Sequence, residues 1–530
     1  MSSRTVTWII VGILGAIFIY WQFTSYSHSA RLSSNLGNKY DKAAQVAAAS
    51  ELIDKKELGD TLTTASSYVH YYALDAFTTI AKTDSASTGA TAKARGAEAL
   101  NQIVAMLKYP DEGVRLKAQA ELVDLGAIAA PVVAGALADP DPHAKMGAIA
   151  VMDRMGAAAV PILVGAVQKT PPQRGPAVEA LVPLTPAPEP DMLKLLSDKD
   201  KDVRSAAATY FGDTTLVKLT NPADQSKNAQ FQAQARDLLL GLLKDKDVRP
   251  AAMRAEGLLN DTRSIPEITK ALTDPADAPN RRTAIVAFGD MHATAAIPLL
   301  IPFLHDDDPD IQSIAVVALH SMGQAAVPGL ADAFGKASGK DPVSTSVRRG
   351  VVDALSTDSA PEAVALLSRG LQDPDETVRR ASALSMAAPG DAAAVAPLIA
   401  SLRDPSADVA EAAETSLGRI GAPAVGPLVA TLGAGADQTS LPSSEGPGGP
   451  QPAVVAPYYA SQALAAIGRD AAPAVTEAAQ NGPLGQRKWA LITLASLLDP
   501  RAHQVLEQIA ATGDPSLRWF AEDALRRYQA

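Results

Sequence analysis

The chain has 530 residues, 47% of them hydrophobic and 20% charged, too long for one compact core and too apolar for a disordered polymer. It contains no cysteine, which excludes disulfides, thiolate nucleophiles, iron–sulfur clusters, zinc–cysteine sites and thioether-linked haem. A net charge of −11 argues against nucleic acid as the partner, since phosphate binding needs a basic face, and an aromatic content of only 5% beside abundant alanine suits closely packed helices.

Residues 6–23, VTWIIVGILGAIFIYWQF, carry no charged side chain. As a helix they would span about 27 Å, close to the hydrocarbon thickness of a bilayer. Trp8 lies near one end, and Tyr20 and Trp21 near the other, where amphipathic rings prefer the two interfaces. Residues 1–30 are therefore expected to form an N-terminal transmembrane signal anchor. The alternative is a signal peptide removed after Ser29 or Ala30, but the apolar run exceeds the usual core of roughly 7–15 residues. Gly12 and Ala16 form a small-xxx-small pair able to pack on another helix. Arg4 favours an inside N-terminus, whereas Arg31, Lys39 and Lys42 pull the other way. A short N-terminal tail and a long downstream domain place the rest of the chain outside the cytosol, on a single pass through the inner membrane.

Residues 31–100 read as a helical stalk or N-terminal cap, with an aromatic patch at Tyr68, Tyr71, Tyr72 and Phe77 and a Ser/Thr/Ala stretch at 83–94. From residue 101 to 432 one pattern returns. Leucine is followed by Asp-Pro or Asp-x, then Val-Arg, alanines at helical spacing, a glycine, and a proline before another apolar run. One copy runs through Leu107, Asp111, Val114-Arg115, Ala118, Leu122, Gly126 and Pro131, and the next through Leu137, Asp139-Pro140-Asp141, Lys145, Ala148, Met152, Gly156 and Pro161. Further copies carry Val203-Arg204, Val248-Arg249, Arg281-Arg282, Ile311-Gln312, Val347-Arg348, Val378-Arg379 and Val409. The period of about 30 residues marks a repeat architecture.

Each unit reads as two short helices. The aspartate before Val-Arg is an N-cap, glycine supplies the left-handed residue that ends the first helix, and proline sits early in the second. The basic residue four positions after the aspartate is expected to pair with it, as in Asp111/Arg115, Asp141/Lys145, Asp200/Arg204, Asp245/Arg249, Asp277/Arg281, Asp375/Arg379 and Asp514/Arg518. Neither helix folds alone, and stacked units bury each other's apolar stripes. The pattern, clearest from Asp373-Pro374-Asp375 through Val378-Arg379, Asp404-Pro405, Val409, Ala413, Leu417, Gly421 and Val425 to Pro427, resembles the short bacterial HEAT repeat of the phycobilisome-lyase type. That resemblance implies an all-α fold, an α-solenoid of HEAT-like helical hairpins. Residues 170–190 are a degenerate, proline-rich copy. The 45 residues from Arg204 to Arg249 imply half a repeat inserted around 221–237. Residues 433–457 are Gly/Ser/Pro-rich and read as a mobile loop, and 458–530 as the C-terminal repeats and cap, with a last partial copy at Asp514-Pro515 and Leu517-Arg518.

Chemistry is sparse. There is no phosphate-binding glycine loop, no H-E-x-x-H, no G-x-S-x-G and no calcium loop. His292, His305 and His320 fall in neighbouring repeats, and His305-Asp306-Asp307-Asp308 is the most metal-like run, but it occupies an inter-helix turn where acids cap the next helix. No catalytic, cofactor or metal residue is assigned. The Asp/Arg pairs recur in nearly every copy, which suits structure rather than catalysis, since one active site needs one set. The expected function is a membrane-tethered scaffold holding a protein or peptide partner on the solenoid surface, with the membrane reached through residues 6–23. The alternatives are an accessory structural subunit of a larger membrane or envelope complex and, by the family resemblance, a bilin-lyase-like modification factor. The anchor reading predicts that the full chain stays in the membrane fraction after a carbonate wash; a mature N-terminus at Ala30 or Arg31 would instead identify a signal peptide.

Overall fold

A computed structural model describes residues 30–63, 65–184, 188–219, 225–434, 452–512 and 514–529. The apolar run at 6–23, and with it the anchor, lies outside the described residues. All regular structure among the described residues is helical, and no single helix there is long and apolar enough to cross a membrane. The chain forms two compact units, Met1–Ser264 and Ile265–Ala530.

The hairpin built on Pro142–Met155 shows how sequence dictates the unit. Asp141 accepts the amide N–H groups of His143 and Ala144, and Pro142 fills the first helical position, where its missing N–H costs little. Gly156 stops the helix at φ 56°, ψ −128°, and Pro161 opens the second helix, Val160–Lys169, after a turn of 117°. The stop differs from the left-handed helical residue expected. Gly126, Gly156 and Gly421 have positive φ with ψ between −125° and −134°, a mirror-image extended conformation that the β-carbon of other residues obstructs. Where a copy lacks this glycine, Lys56, Asn260, His292, Thr357 or Leu498 takes a positive φ at the end of the first helix. That conformation costs such residues about 1 kcal/mol.

Within each unit, the first helices pack in one row and the second helices line its side. In Met1–Ser264 the row comprises Lys42–Asp54, Ser67–Ser85, Glu112–Leu125, Pro142–Met155, Arg174–Leu181, Lys201–Leu219 and Arg249–Leu258. In Ile265–Ala530 it comprises Arg281–Asp290, Pro309–Ser321, Pro342–Ala354, Glu376–Ser385, Ala407–Ile420, Pro452–Ile467, Leu484–Leu497 and Pro515–Gln529. Alanines fill much of the interface, so backbones come close: a β-carbon on Gly289 would lie 3.0 Å from the Ala318 Cα of the next first helix. At this separation short hydroxyls reach across. Ser321 Oγ donates to the Gly289 carbonyl (3.0 Å) and Ser416 Oγ to that of Ala383 (2.7 Å).

Several segments differ from the sequence expectation. Of the segment read as a stalk or cap, 31–100, the helices Lys42–Asp54 and Ser67–Ser85 lie in this same row; Phe77 is core, whereas Tyr68 and Tyr71 stay exposed. The proline-rich stretch near 170–190 makes a hairpin of its own, Arg174–Leu181 and Glu189–Leu195. The extra residues between Arg204 and Arg249 lengthen two helices, Lys201–Leu219 and Gln225–Leu242, instead of forming an insertion beside them. Of the loop at 433–457, residues 452–457 belong to the helix Pro452–Ile467, where a leading proline and the apolar A-V-V-A suit a first turn; 435–451 lie outside the described residues.

The largest correction concerns the charges. The repeat arginine does not serve its own N-cap aspartate, whose oxygens are taken by first-turn N–H groups. A helical side chain leans toward the N-terminus, and the arginine passes the cap to donate to the turn carbonyls five and six residues back. Arg115 reaches Tyr109 and Pro110 (2.8 and 2.7 Å), and Arg204 reaches Asp198 and Lys199 (2.8 and 3.1 Å). Its remaining N–H groups cross to the following repeat: Arg204 to Asp245, Arg348 to Asp373 and Arg379 to Asp404, the last two bidentate at 2.6–3.1 Å. Each of those aspartates also accepts an N–H from its own turn, as Asp373 does from Asp375 (2.9 Å). Lys145 pairs with Glu179 of the next first helix rather than with Asp141. Gln312, at the arginine position, keeps only the carbonyl bond, to Asp306.

Arg348 and Asp373 are both 3% exposed, so removing one partner strands a buried charge. Arg348→Ala is expected to cost about 3–5 kcal/mol, and the double change Arg348→Met with Asp373→Leu much less. Arg282→Ala, at an exposed pair with Asp310, is expected to cost under about 1 kcal/mol. Denaturant titration, with hydrogen exchange resolved over 342–354 and 376–385, measures all three.

Candidate functional site

The three histidines do not converge. His292 sits at the positive-φ stop of its helix, with Nδ1 3.1 Å from the Asp290 carbonyl. His320 Nδ1 lies 3.0 Å from the Ala354 carbonyl, joining two first helices. The His305–Asp308 run is a capping turn: Asp306 accepts the N–H of Asp308 (3.0 Å), Asp308 accepts that of Asp310 (2.9 Å), and Arg281 lies 3.7 Å from Asp306. Among the described residues no group of three or more His, Asp or Glu is placed to hold a metal.

Clefts open between neighbouring first helices. One of about 880 Å³ lies between Pro309–Ser321 and Pro342–Ala354 and is lined by Leu304, Pro309, Val316, Val317, Arg349 and Asp353 among others. Its cause is local. Leu304, from the preceding short helix, wedges between the two first helices; Ser346 Oγ donates to its carbonyl (3.1 Å), and a β-carbon on Gly350 would lie 3.0 Å from its side chain. In the other unit a smaller cleft of about 250 Å³ separates Glu112–Leu125 from Pro142–Met155, lined by Leu116, Gln119, Met146 and Ala150. Leu116, Met146 and Val317 are 55%, 68% and 65% exposed. These aliphatic side chains are left over by the core. Desolvation pushes the Asp353 carboxyl up, partly offset by Arg349 at 3.7 Å. Charge is unevenly divided: residues 1–264 hold 28 acidic and 28 basic side chains, whereas 265–530 hold 30 and 19.

One buried titratable site escaped the sequence reading. Glu256 is fully buried, and neither carboxyl oxygen has a donor in reach. Its backbone carbonyl accepts the N–H of Asp261, whose own carboxylate is held by Arg263 (2.6–3.1 Å); Arg263 also pairs with Asp237 (2.8 Å). Burial, reinforced by the nearby Asp261 charge, raises Glu256 from 4.5 to about 8 against the opposing pull of Arg263 and Arg236. At neutral pH the protonated form of Glu256 therefore predominates. The signal was present in the sequence: Glu256 stands four residues after Ala252, on the stripe that the other copies fill with apolar side chains.

The sign of the pH dependence follows. A carboxyl whose folded pKa lies above its unfolded value gives stability that is fully present below the unfolded value, near pH 4.5, and is lost as pH rises to about 8. The slope is at most about 1.4 kcal/mol per pH unit. Glu256→Gln is expected to flatten this slope and to raise the melting temperature more at pH 8.5 than at pH 5, as read by thermal melts across that range.

Comparison with known proteins agrees with this geometry. Residues 190–288, 265–343 and 340–418 match the family model for HEAT repeats. No curated protein matches the chain. Among solved structures, yeast importin-beta (Kap95p) is 12% identical, covering 94% of this chain and 84% of that one at a TM-score of 0.41. Kap121p bound to Ste12p is 13% identical, covering 94% of this chain and 56% of that one, also at 0.41. Through residues 190–418, the stacked hairpins are HEAT repeats.

Proposed function

We propose that the protein is a membrane-tethered HEAT-repeat scaffold that holds a protein or peptide partner along its row of first helices and performs no chemistry of its own. The observation that carries this reading is the recurrence, in both units, of an open cleft bordered by exposed aliphatic side chains: Leu116 and Met146 in one, Val317 in the other. Exposed apolar side chains beside clefts at more than one repeat suit contacts spread over many repeats. The clefts also present polar groups at their rims, such as Gln119 and Arg349, which supply specificity once the apolar contacts exclude water. The tether is the apolar run at 6–23, and the repeats lie on the extracytoplasmic side of the inner membrane.

Photo-crosslinking tests this in cells. A crosslinking residue at Met146 or Val317 of the full chain is expected to trap a discrete partner, and one at Glu362, exposed on a second helix, is not. Met146→Glu and Val317→Glu are expected to lower recovery of that partner several-fold at unchanged helical content. Crosslinks arising only from Glu362, or recovery unaffected by both substitutions, would defeat the reading. A complex of fixed stoichiometry surviving mild detergent would make the protein an accessory subunit of a membrane assembly. Protease added to spheroplasts reports the side: the repeats should be cleaved.

A further inference from the structure

The first described residues form a short helix, 30–36, whose Leu32 and Leu36 are buried. Gly37 follows it and lies against the start of the helix Ser67–Ser85: a β-carbon at position 37 would stand 3.2 Å from Val69 Cγ2 and 3.7 Å from the Tyr68 ring. The chain arriving from the apolar run thus joins the stack beside Tyr68. Seven peptide steps lead from position 23 to position 30, a reach of at most about 25 Å even if fully extended.

At this end of the unit the exposed side chains change in kind. Tyr40, Tyr68 and Tyr71 are 85%, 52% and 37% exposed, and they are the exposed tyrosines among the described residues of Met1–Ser264. The rings of Tyr68 and Tyr71 lie 4.7 and 5.2 Å from that of Tyr72, so these three form one patch. Lys39 Nζ stands 4.9 Å from the Tyr40 ring centre. Lys117 Nζ lies 4.9 Å from that of Tyr71 but is already paired with Asp75 (2.7 Å) and Glu121 (3.4 Å). The clefts farther along the row carry aliphatic side chains instead. Tyrosine is the residue for a boundary: its ring prefers apolar surroundings and its hydroxyl water, which is the environment of the headgroup layer. The exposed Lys39 beside Tyr40 can bury its stem and offer its ammonium to phosphate.

We propose that Tyr40, Tyr68 and Tyr71, with Lys39, form a lipid-docking surface that seats this end of the stack in the headgroup layer of the bilayer. The proposal rests on the reading of residues 6–23 as a membrane anchor, and it adds a second, peripheral contact. That contact restrains the orientation of the first repeats, which a single spanning helix leaves free to swivel.

The absence of cysteine makes the test clean, since one introduced thiol is unique. Tyr40→Cys and Tyr68→Cys, with Arg380→Cys as an exposed control on Glu376–Ser385, are made singly in the full chain. Each is spin-labelled and reconstituted in vesicles of phosphatidylethanolamine and phosphatidylglycerol at about 3:1, and collisions with oxygen and with a water-soluble nickel chelate are compared. Labels at 40 and 68 are expected to show several-fold fewer nickel collisions than the label at 380 while retaining oxygen access, the signature of the interface. Nickel access equal to that at 380, in protein that resists carbonate extraction, overturns the docking and leaves the anchor standing. Protection from both reagents also overturns it, because protein rather than lipid then covers the tyrosines. Release of the chain by carbonate overturns the anchor itself.

Discussion

A guanidinium shared between repeats is the interaction on which the stack depends. Arg204, Arg348 and Arg379 each satisfy carbonyls of the turn that precedes their own helix and, at the same time, the carboxylate that opens the next repeat, whereas Asp139, which opens the repeat after Arg115, is met by Lys108. Only a planar fork with five donors meets both demands, and a lysine at the same position meets one at a time. Lys145, for example, makes a single reach to Glu179. Because the aspartate is itself fixed by its turn N–H, the bond sets register and is more than a link between charges. Exposure then grades the effect, from the fully enclosed Arg348–Asp373 pair to the open Lys108–Asp139 pair.

Alanine does the rest of the spacing. Small side chains let backbones of adjacent first helices approach until serine and histidine bridge to a neighbour's carbonyl. Leu116, Met146 and Val317 lie outside this packed interface and point to solvent. Where Leu304 intrudes between two first helices, the row parts and a cleft forms. The proposed binding surface is thus a by-product of how tightly the rest of the row is packed.

Charge is graded along the chain in a way that fits the proposed tether. The half next to the apolar run is electrically balanced, whereas residues 265–530 carry the whole net charge of −11. An acidic surface is repelled by anionic headgroups, and a neutral one is not.

What the sequence by itself determined is local. The period, the N-capping aspartates, the glycine stops and the prolines opening second helices each act within a few residues, and the hairpin from Asp141 to Lys169 has each where the pattern puts it, whereas the N-cap positions of Arg249–Leu258 and Arg281–Asp290 fall on Val248 and Asn280 rather than on Asp245 and Asp277. Tertiary structure decided everything that spans repeats. The partner of Arg379 is 25 residues away rather than four, because the nearer carboxylate, Asp375, is spent on capping. The helices Lys42–Asp54 and Arg174–Leu181 join the row although their sequences lack the repeat signature, since burial against a neighbour, not propensity, holds a short helix. Burial by stacking is what raises Glu256, and the cleft between Pro309–Ser321 and Pro342–Ala354 exists because Leu304 wedges two helices that the pattern alone would place side by side. A periodic sequence specifies the unit; the environment of each copy, which depends on its neighbours, exists only once they have packed.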